Sequence, residues 1–169
     1  MKNQKAFTLL ELLITSSITA LLMLAISSLF ITFLATAYKS RISQNLRESG
    51  GNAMTQIIDM IRSSGEITST CDSETPLDYI TVTGEDGVES TILEEDDRIA
   101  SVSAEKKFYL TESSADSNYV SDLVFNCDLT PEGKKYIEVN FSLHTGDNEA
   151  SNSARSTSLD FSSGVATRN

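Results

Sequence analysis

Tryptophan is absent, histidine occurs once, proline twice and cysteine twice in 169 residues. A single histidine, His144, leaves little for a histidine-based metal site or a histidine-dependent hydrolase. It stands beside a polar stretch with no serine and acid in a defining register, so an enzyme is not expected, and no cofactor. Gly84 and Gly87 flank acids that would repel phosphate, which removes a phosphate-cradling loop. Positive charge is scarce as well: Lys+Arg number 13 against 24 Asp+Glu, a net charge of -11, with a pI near 4.4. A nucleic-acid backbone needs a basic surface, so the acidic part of this chain is not expected to bind nucleic acid. What is present in quantity is apolar: 40% of residues are hydrophobic, enough for a core.

The charges are unevenly placed. Between residues 6 and 38 the only charged side chain is Glu11, with Lys2 and Lys5 before it and Lys39 and Arg41 after it. The apolar run Leu12–Leu34 has about the 20 residues that a bilayer-spanning helix needs. Residues 64–154 hold twenty acids and five bases, a net of −15, and read as a head that faces water. The short basic start then belongs in the cytoplasm and the acidic head outside it, although Lys39 and Arg41 oppose that orientation. A cleavable signal peptide would use Ala35-Thr36-Ala37, but the apolar stretch before it is about twice the 7–15 residues expected and contains Glu11. A plain signal anchor fits the length and gives Glu11 no task.

A carboxylate just inside a bilayer costs on the order of 2–3 kcal/mol unless something pairs with it. No Lys or Arg lies between Lys5 and Lys39. A cut between Ala6 and Phe7 would supply a cation: the new α-amino group would lie within one helical turn of Glu11. Here the segment Lys5-Ala6-Phe7-Thr8-Leu9-Leu10-Glu11-Leu12 resembles the prepilin leader and cleavage motif of type IV pilins, pseudopilins of type II secretion and competence pili. The resemblance covers residues 1–38. It implies that a prepilin peptidase removes residues 1–6 after Ala6 and N-methylates Phe7. It further implies that Glu11 neutralises the N-terminal amine of a neighbouring subunit during assembly. The residue before the cut is usually Gly in that family and is Ala6 here, the smallest alternative. The mid-helix proline of many major pilins is missing, since the only prolines are Pro76 and Pro131.

Beyond Tyr38 the pattern turns amphipathic, with Ile42, Leu46, Ala53, Met54, Ile57, Ile58 and Ile61 recurring at spacings of three and four. Gly50-Gly51 interrupts this stretch and marks a bend or flexible point, and Gly65 reads as a C-terminal cap. From Tyr79 the period is two. Residues 79–83 and 88–93 form a hairpin about Gly84–Gly87; 107–111, 123–125, 136–143 and a last segment near 157–161 are further strands. Residues 144–156 read as a loop. The expected fold is α+β, a type IV pilin-like lollipop in which one long helix packs on an antiparallel sheet. Its parts are a leader over 1–6, a transmembrane helix over 7–38, an amphipathic continuation over 39–65 and a β-rich head over 66–169.

Ser16, Ser17, Thr19, Ala20, Ser27, Ser28 and Thr32 are small residues in the membrane half; they suit close helix packing or, alternatively, bond to backbone carbonyls one turn back. Cys71 and Cys127, both outside the cytoplasm in this topology, are expected to form a disulfide, the alternative being two buried thiols. The run Glu94-Glu95-Asp96-Asp97 is read as a solvated charged loop rather than a calcium site, because consecutive carboxylates do not converge unless a loop turns them inward. No metal site is expected.

The stalk-to-head segment and the Arg168-Asn169 ending resemble those of minor pilins and J-like or W-like pseudopilins. The resemblance implies a filament subunit in pilus biogenesis, type II secretion or DNA uptake. Its partners would be prepilin peptidase, other pilins or pseudopilins, membrane lipid, and an inner-membrane assembly platform with its ATPase complex. It would begin as a single-pass membrane protein and pass into a surface or periplasmic filament. The competing reading is a signal-anchored extracytoplasmic binding domain that never polymerises.

Overall fold

The computed structural model describes residues 8–69, 75–84, 86–104, 106–111, 118–130, 134–145 and 157–167. The chain divides into two compact units, Met1–Arg41 and Ile42–Asn169. Helix α1, Leu9–Ser63, runs through the boundary. It holds no proline, and leucine, which loses little side-chain freedom in a helix, is its commonest residue. Its hydrogen bonding continues without a break through Gly50-Gly51, so these glycines do not interrupt it as their low helix propensity suggested.

In the first unit the described helix carries its apolar side chains outward on every side. Each large one from Leu9 to Leu34 is exposed. Mean hydropathy reaches 2.4 over an 18-residue stretch of which none is buried. Apolar surface of this extent on a helix long enough to cross a bilayer implies an apolar surrounding.

In the second unit α1 becomes one-sided. Leu46, Gly50, Ala53, Met54, Ile57, Ile58 and Ile61 are buried, and the opposite face, with Asn45, Glu48, Thr55 and Asp59, is exposed. The helix ends at Ser63, and the buried hydroxyl of the next residue, Ser64, donates back to the Ile61 carbonyl at 2.7 Å. Gly65 is not a left-handed cap: among the described residues the glycine with positive φ is Gly87, at 75°. Instead the Gly65 N–H donates to Thr83 O at 2.8 Å and leads the chain straight into a sheet.

Among the described residues eight strands follow: β1 (Glu66–Ile67), β2 (Tyr79–Thr83), β3 (Glu89–Glu95), β4 (Arg98–Ser103), β5 (Lys106–Tyr109), β6 (Asn118–Leu129), β7 (Lys135–Thr145) and β8 (Thr157–Ala166). They form a five-stranded sheet in the order β1-β2-β3-β4-β5 and a three-stranded sheet in the order β6-β7-β8, with antiparallel neighbours throughout. The β2–β3 hairpin pairs Thr83 with Glu89, and Gly87 supplies the positive φ its turn needs. The core joins Ile57 and Ile61 of α1 to Ile80, Ile92 and Ile99 of the first sheet and Phe125, Ile137, Val139 and Phe141 of the second. Each such side chain contributes roughly 1.5–3 kcal/mol by leaving water.

The sequence reading held no strand at 98–103. Arg98-Ile99-Ala100-Ser101-Val102-Ser103 alternates weakly because Ala100 and Ser101 are small, yet both are buried. The acidic run is not a loop either. Glu94 and Glu95 finish β3, and Asp96 and Asp97 alone make the turn into β4, with φ of 54° and 60°. Aspartate tolerates that left-handed pair, as the twist of a two-residue hairpin requires. His144 and Thr145, expected in a loop, are the last residues of β7. The strand near 157–161 extends to Ala166.

Candidate functional site

The N-terminal end of α1 is organised by Thr8. Its hydroxyl accepts the Glu11 N–H at 3.3 Å, while its carbonyl accepts the N–H groups of Glu11 at 3.1 Å and Leu12 at 3.2 Å. A threonine in this position satisfies donors that a helix leaves unpaired in its first turn, a contribution of about 1 kcal/mol. Glu11 is thereby fixed as the acid of that turn, where the positive end of the helix dipole favours a carboxylate. Its side chain is exposed. The residues expected to flank it, Ala6 and Phe7, lie outside the described residues, as does the whole leader.

The hydroxyls of the apolar half are turned inward on their own helix. Ser16 and Ser17 donate to Leu13 O at 3.0 and 2.9 Å, Thr19 to Thr15 O at 2.7 Å and Ser27 to Met23 O at 2.8 Å. Ser28 and Thr32 donate to Ala25 O and Ser28 O at 2.9 and 3.0 Å. Self-satisfied hydroxyls let this helix sit among hydrocarbon without stranded polar groups, and they leave close helix packing as a separate matter.

In the second unit, Cys127 lies on β6 and is 2% exposed. No free cysteine occurs among the described residues; Cys71 lies outside them, as do Asp116 and the Arg168-Asn169 ending. Among the described residues no three His, Cys, Asp or Glu side chains converge on a point that a metal could occupy. The acidic turn is held by a lysine: Lys107 Nζ lies 2.7 Å from Glu95 Oε1 and 3.8 Å from Asp96 Oδ2. The Tyr109 hydroxyl donates to Asp96 at 3.2 Å, and Arg98 and Lys107 stand over the Tyr109 ring at 4.8 and 5.0 Å. The Glu95 carboxylate, followed by the Tyr109 hydroxyl, pushes the Lys107 ammonium pKa well above the ordinary lysine value of 10.5.

His144 is not solitary once the sheet forms. Its ring stacks on Tyr119 with centroids 4.8 Å apart, and its Nε2 is 2.9 Å from the Ser121 hydroxyl. That hydroxyl donates to Asp122 at 2.9 Å. The acid therefore holds serine and not histidine, the reverse of what a nucleophile with an oriented general base requires. Only strand pairing brings 121 and 144 together, and no local pattern signals it.

Residues 1–27 match the family model described as the prokaryotic N-terminal methylation motif. No curated protein and no solved structure matches the chain. The chain thus carries the leader class of type IV pilins and pseudopilins, with the motif's glutamate in the first turn of an apolar helix long enough to span a membrane. This leader motif and this α+β architecture, with an apolar helix long enough to cross a membrane, support a type IV pilin-like, membrane-anchored protein.

Proposed function

We propose that the chain is a minor pilin or pseudopilin, a structural subunit of a type IV pilus-like filament serving pilus biogenesis, type II secretion or DNA uptake. The observation that carries this reading is the methylation motif over residues 1–27 running into an unbroken apolar helix with Glu11 in its first turn. Prepilin peptidase cleaves after Ala6 and methylates Phe7. The processed chain rests in the membrane through residues 7–38, with the β-rich head, 66–169, outside the cytoplasm. An assembly platform and its ATPase complex drive it into a filament with other pilins. In the filament, Glu11 pairs with the N-terminal amine of a neighbour, since no other cation lies near it in the apolar run and an unpaired carboxylate there is costly. Cys71 and Cys127 pair as a disulfide in the oxidising compartment that this topology gives the head.

The test is intact-mass and N-terminal peptide spectrometry on the native membrane fraction. A chain beginning at N-methyl-Phe7 is expected; one that retains Met1 or begins at Tyr38 overturns the reading in favour of an anchored or secreted domain. In a second measurement, Glu11→Ala leaves membrane insertion intact and abolishes or sharply reduces assembly. Normal assembly of that variant refutes the assigned role of Glu11.

A further inference from the structure

Strand β6 contains one residue more than its partner needs. Ser121 pairs with Ser142 and Val124 with Asn140, so Asp122 and Leu123 together face Phe141. Asp122 absorbs the extra residue in the left-handed region, at φ 59°. The parity of β6 changes across this bulge: its buried residues are Val120 before it and Leu123, Phe125 and Cys127 after it. The N–H groups turned away from β7 change parity in step. Val120 N–H donates to Asp97 O at 2.8 Å, Leu123 N–H donates to Glu94 Oε2 at 3.3 Å, and Phe125 exchanges both backbone bonds with Leu77 at 2.8 and 2.9 Å. The edge of the second sheet is thus closed by a row of three acceptors, from the β3–β4 turn, from the end of β3 and from Leu77 ahead of β2, and the middle acceptor is a side chain.

We propose that the acidic turn Glu94–Asp97 is a clasp between the two sheets, in which the Glu94 carboxylate stands in for a strand carbonyl and holds the β6 bulge in register. The four acids divide the work by face. Glu94 alternates onto the same side of its sheet as Ile92 and its cross-strand partner Ile99, and though itself exposed it reaches the Leu123 amide of β6 with its carboxylate. Asp97 offers its backbone oxygen to the same strand. Glu95 and Asp96 are held by Lys107 on the other side. Lys107 offsets the negative charge that would otherwise gather at the turn, and Tyr109 fixes Asp96 further. Without the Glu94 acceptor, the freed Leu123 amide faces a partly buried joint with no replacement from β7, because the bulge has already taken it off that ladder. Glu94 is a positioning residue: it pairs the Leu123 amide and so steadies the bulge where the buried face of β6 changes parity.

The experiment is residue-resolved amide exchange on the full chain in detergent micelles. Glu94→Ala is expected to raise exchange at Leu123 roughly three- to tenfold, the range of one net hydrogen bond. Glu94→Gln, which keeps an acceptor oxygen, is expected to stay close to the parent. Val139 and Phe141 in β7 report whether the variant is folded and should keep their protection in both. Unchanged Leu123 exchange in Glu94→Ala overturns the proposal, and so does equal loss in Glu94→Gln and Glu94→Ala. If Glu94→Ala fails to fold, the comparison passes to Lys107→Met, expected to raise exchange at Val120 and Leu123 and to leave β7 protected. No change at those two amides also overturns the clasp.

Discussion

Gly50 and Gly51 are adjacent in sequence, both inside α1, and should respond differently to the same substitution. Replacing a helix-interior glycine by alanine gains about 1 kcal/mol on propensity alone. At Gly51 nothing lies within 4 Å of the position an added Cβ would take, so Gly51→Ala should realise most of that gain. At Gly50 the added Cβ would run into the ring of Phe161 on β8. That ring cannot yield freely: it stacks on Phe141 with centroids 5.1 Å apart and planes 19° from parallel, and Phe141 is fully buried. Displacing it gives up an aromatic contact of about 0.5–1.5 kcal/mol and strains the packing, a combined cost of roughly 1–3 kcal/mol. Gly50→Ala should therefore be neutral to about 2 kcal/mol destabilising, leaving the two variants about 1–3 kcal/mol apart. For a domain of this size that separates their melting temperatures by roughly 4–12 °C. The assay is thermal and urea unfolding of the full chain in one detergent, followed through head signals. Trimming the ring with Phe161→Leu should rescue Gly50→Ala in a double-mutant cycle, with a coupling of about 1 kcal/mol or more. Equal stabilisation by Gly50→Ala and Gly51→Ala would refute the close approach of α1 to β8.

Two further outcomes follow from the head. Because the folded pKa of Lys107 lies above its unfolded value of 10.5, its stabilisation is complete below the ordinary lysine range and is lost progressively as pH rises from there through the raised value. The difference in melting temperature between the parent and Lys107→Met should accordingly stay constant from pH 7 to about 10; a difference that fades within that window contradicts the pairing. The proposed Cys71–Cys127 bond closes about 56 residues of chain and should contribute about 4 kcal/mol in the chain-entropy account. Thiol titration of the unfolded, unreduced chain should then find no free thiol, and finding two would sink the bond.

The parts of this protein that were legible in its sequence are those with a local cause. An apolar run with one carboxylate and a basic start specifies a helix for a bilayer, whatever follows it. The spacing from Ile42 to Ile61 specifies which side of α1 faces a core, because 3.6 residues per turn puts these positions in one stripe. Strict alternation marked β7, and Gly84 to Gly87 marked the first hairpin. The Thr8 cap that sets the place of Glu11 is short-range too, but it became visible only in the structure.

What the tertiary structure decided are the features in which distant residues share one point in space. Two glycines that look like a break are helical because one admits the ring of Phe161, more than a hundred residues away. Strand β4 exists although its alternation is faint, since a two-aspartate turn lays it on β3 and burial selects its small residues. The four acids of that turn look solvated in sequence, but Lys107 and the bulged strand β6 give them partners on both faces. His144 meets Ser121 only through strand register. Composition and periodicity report the average environment of a segment; they carry no information about which other segment arrives against it. That choice belongs to the packing of α1 and the two sheets.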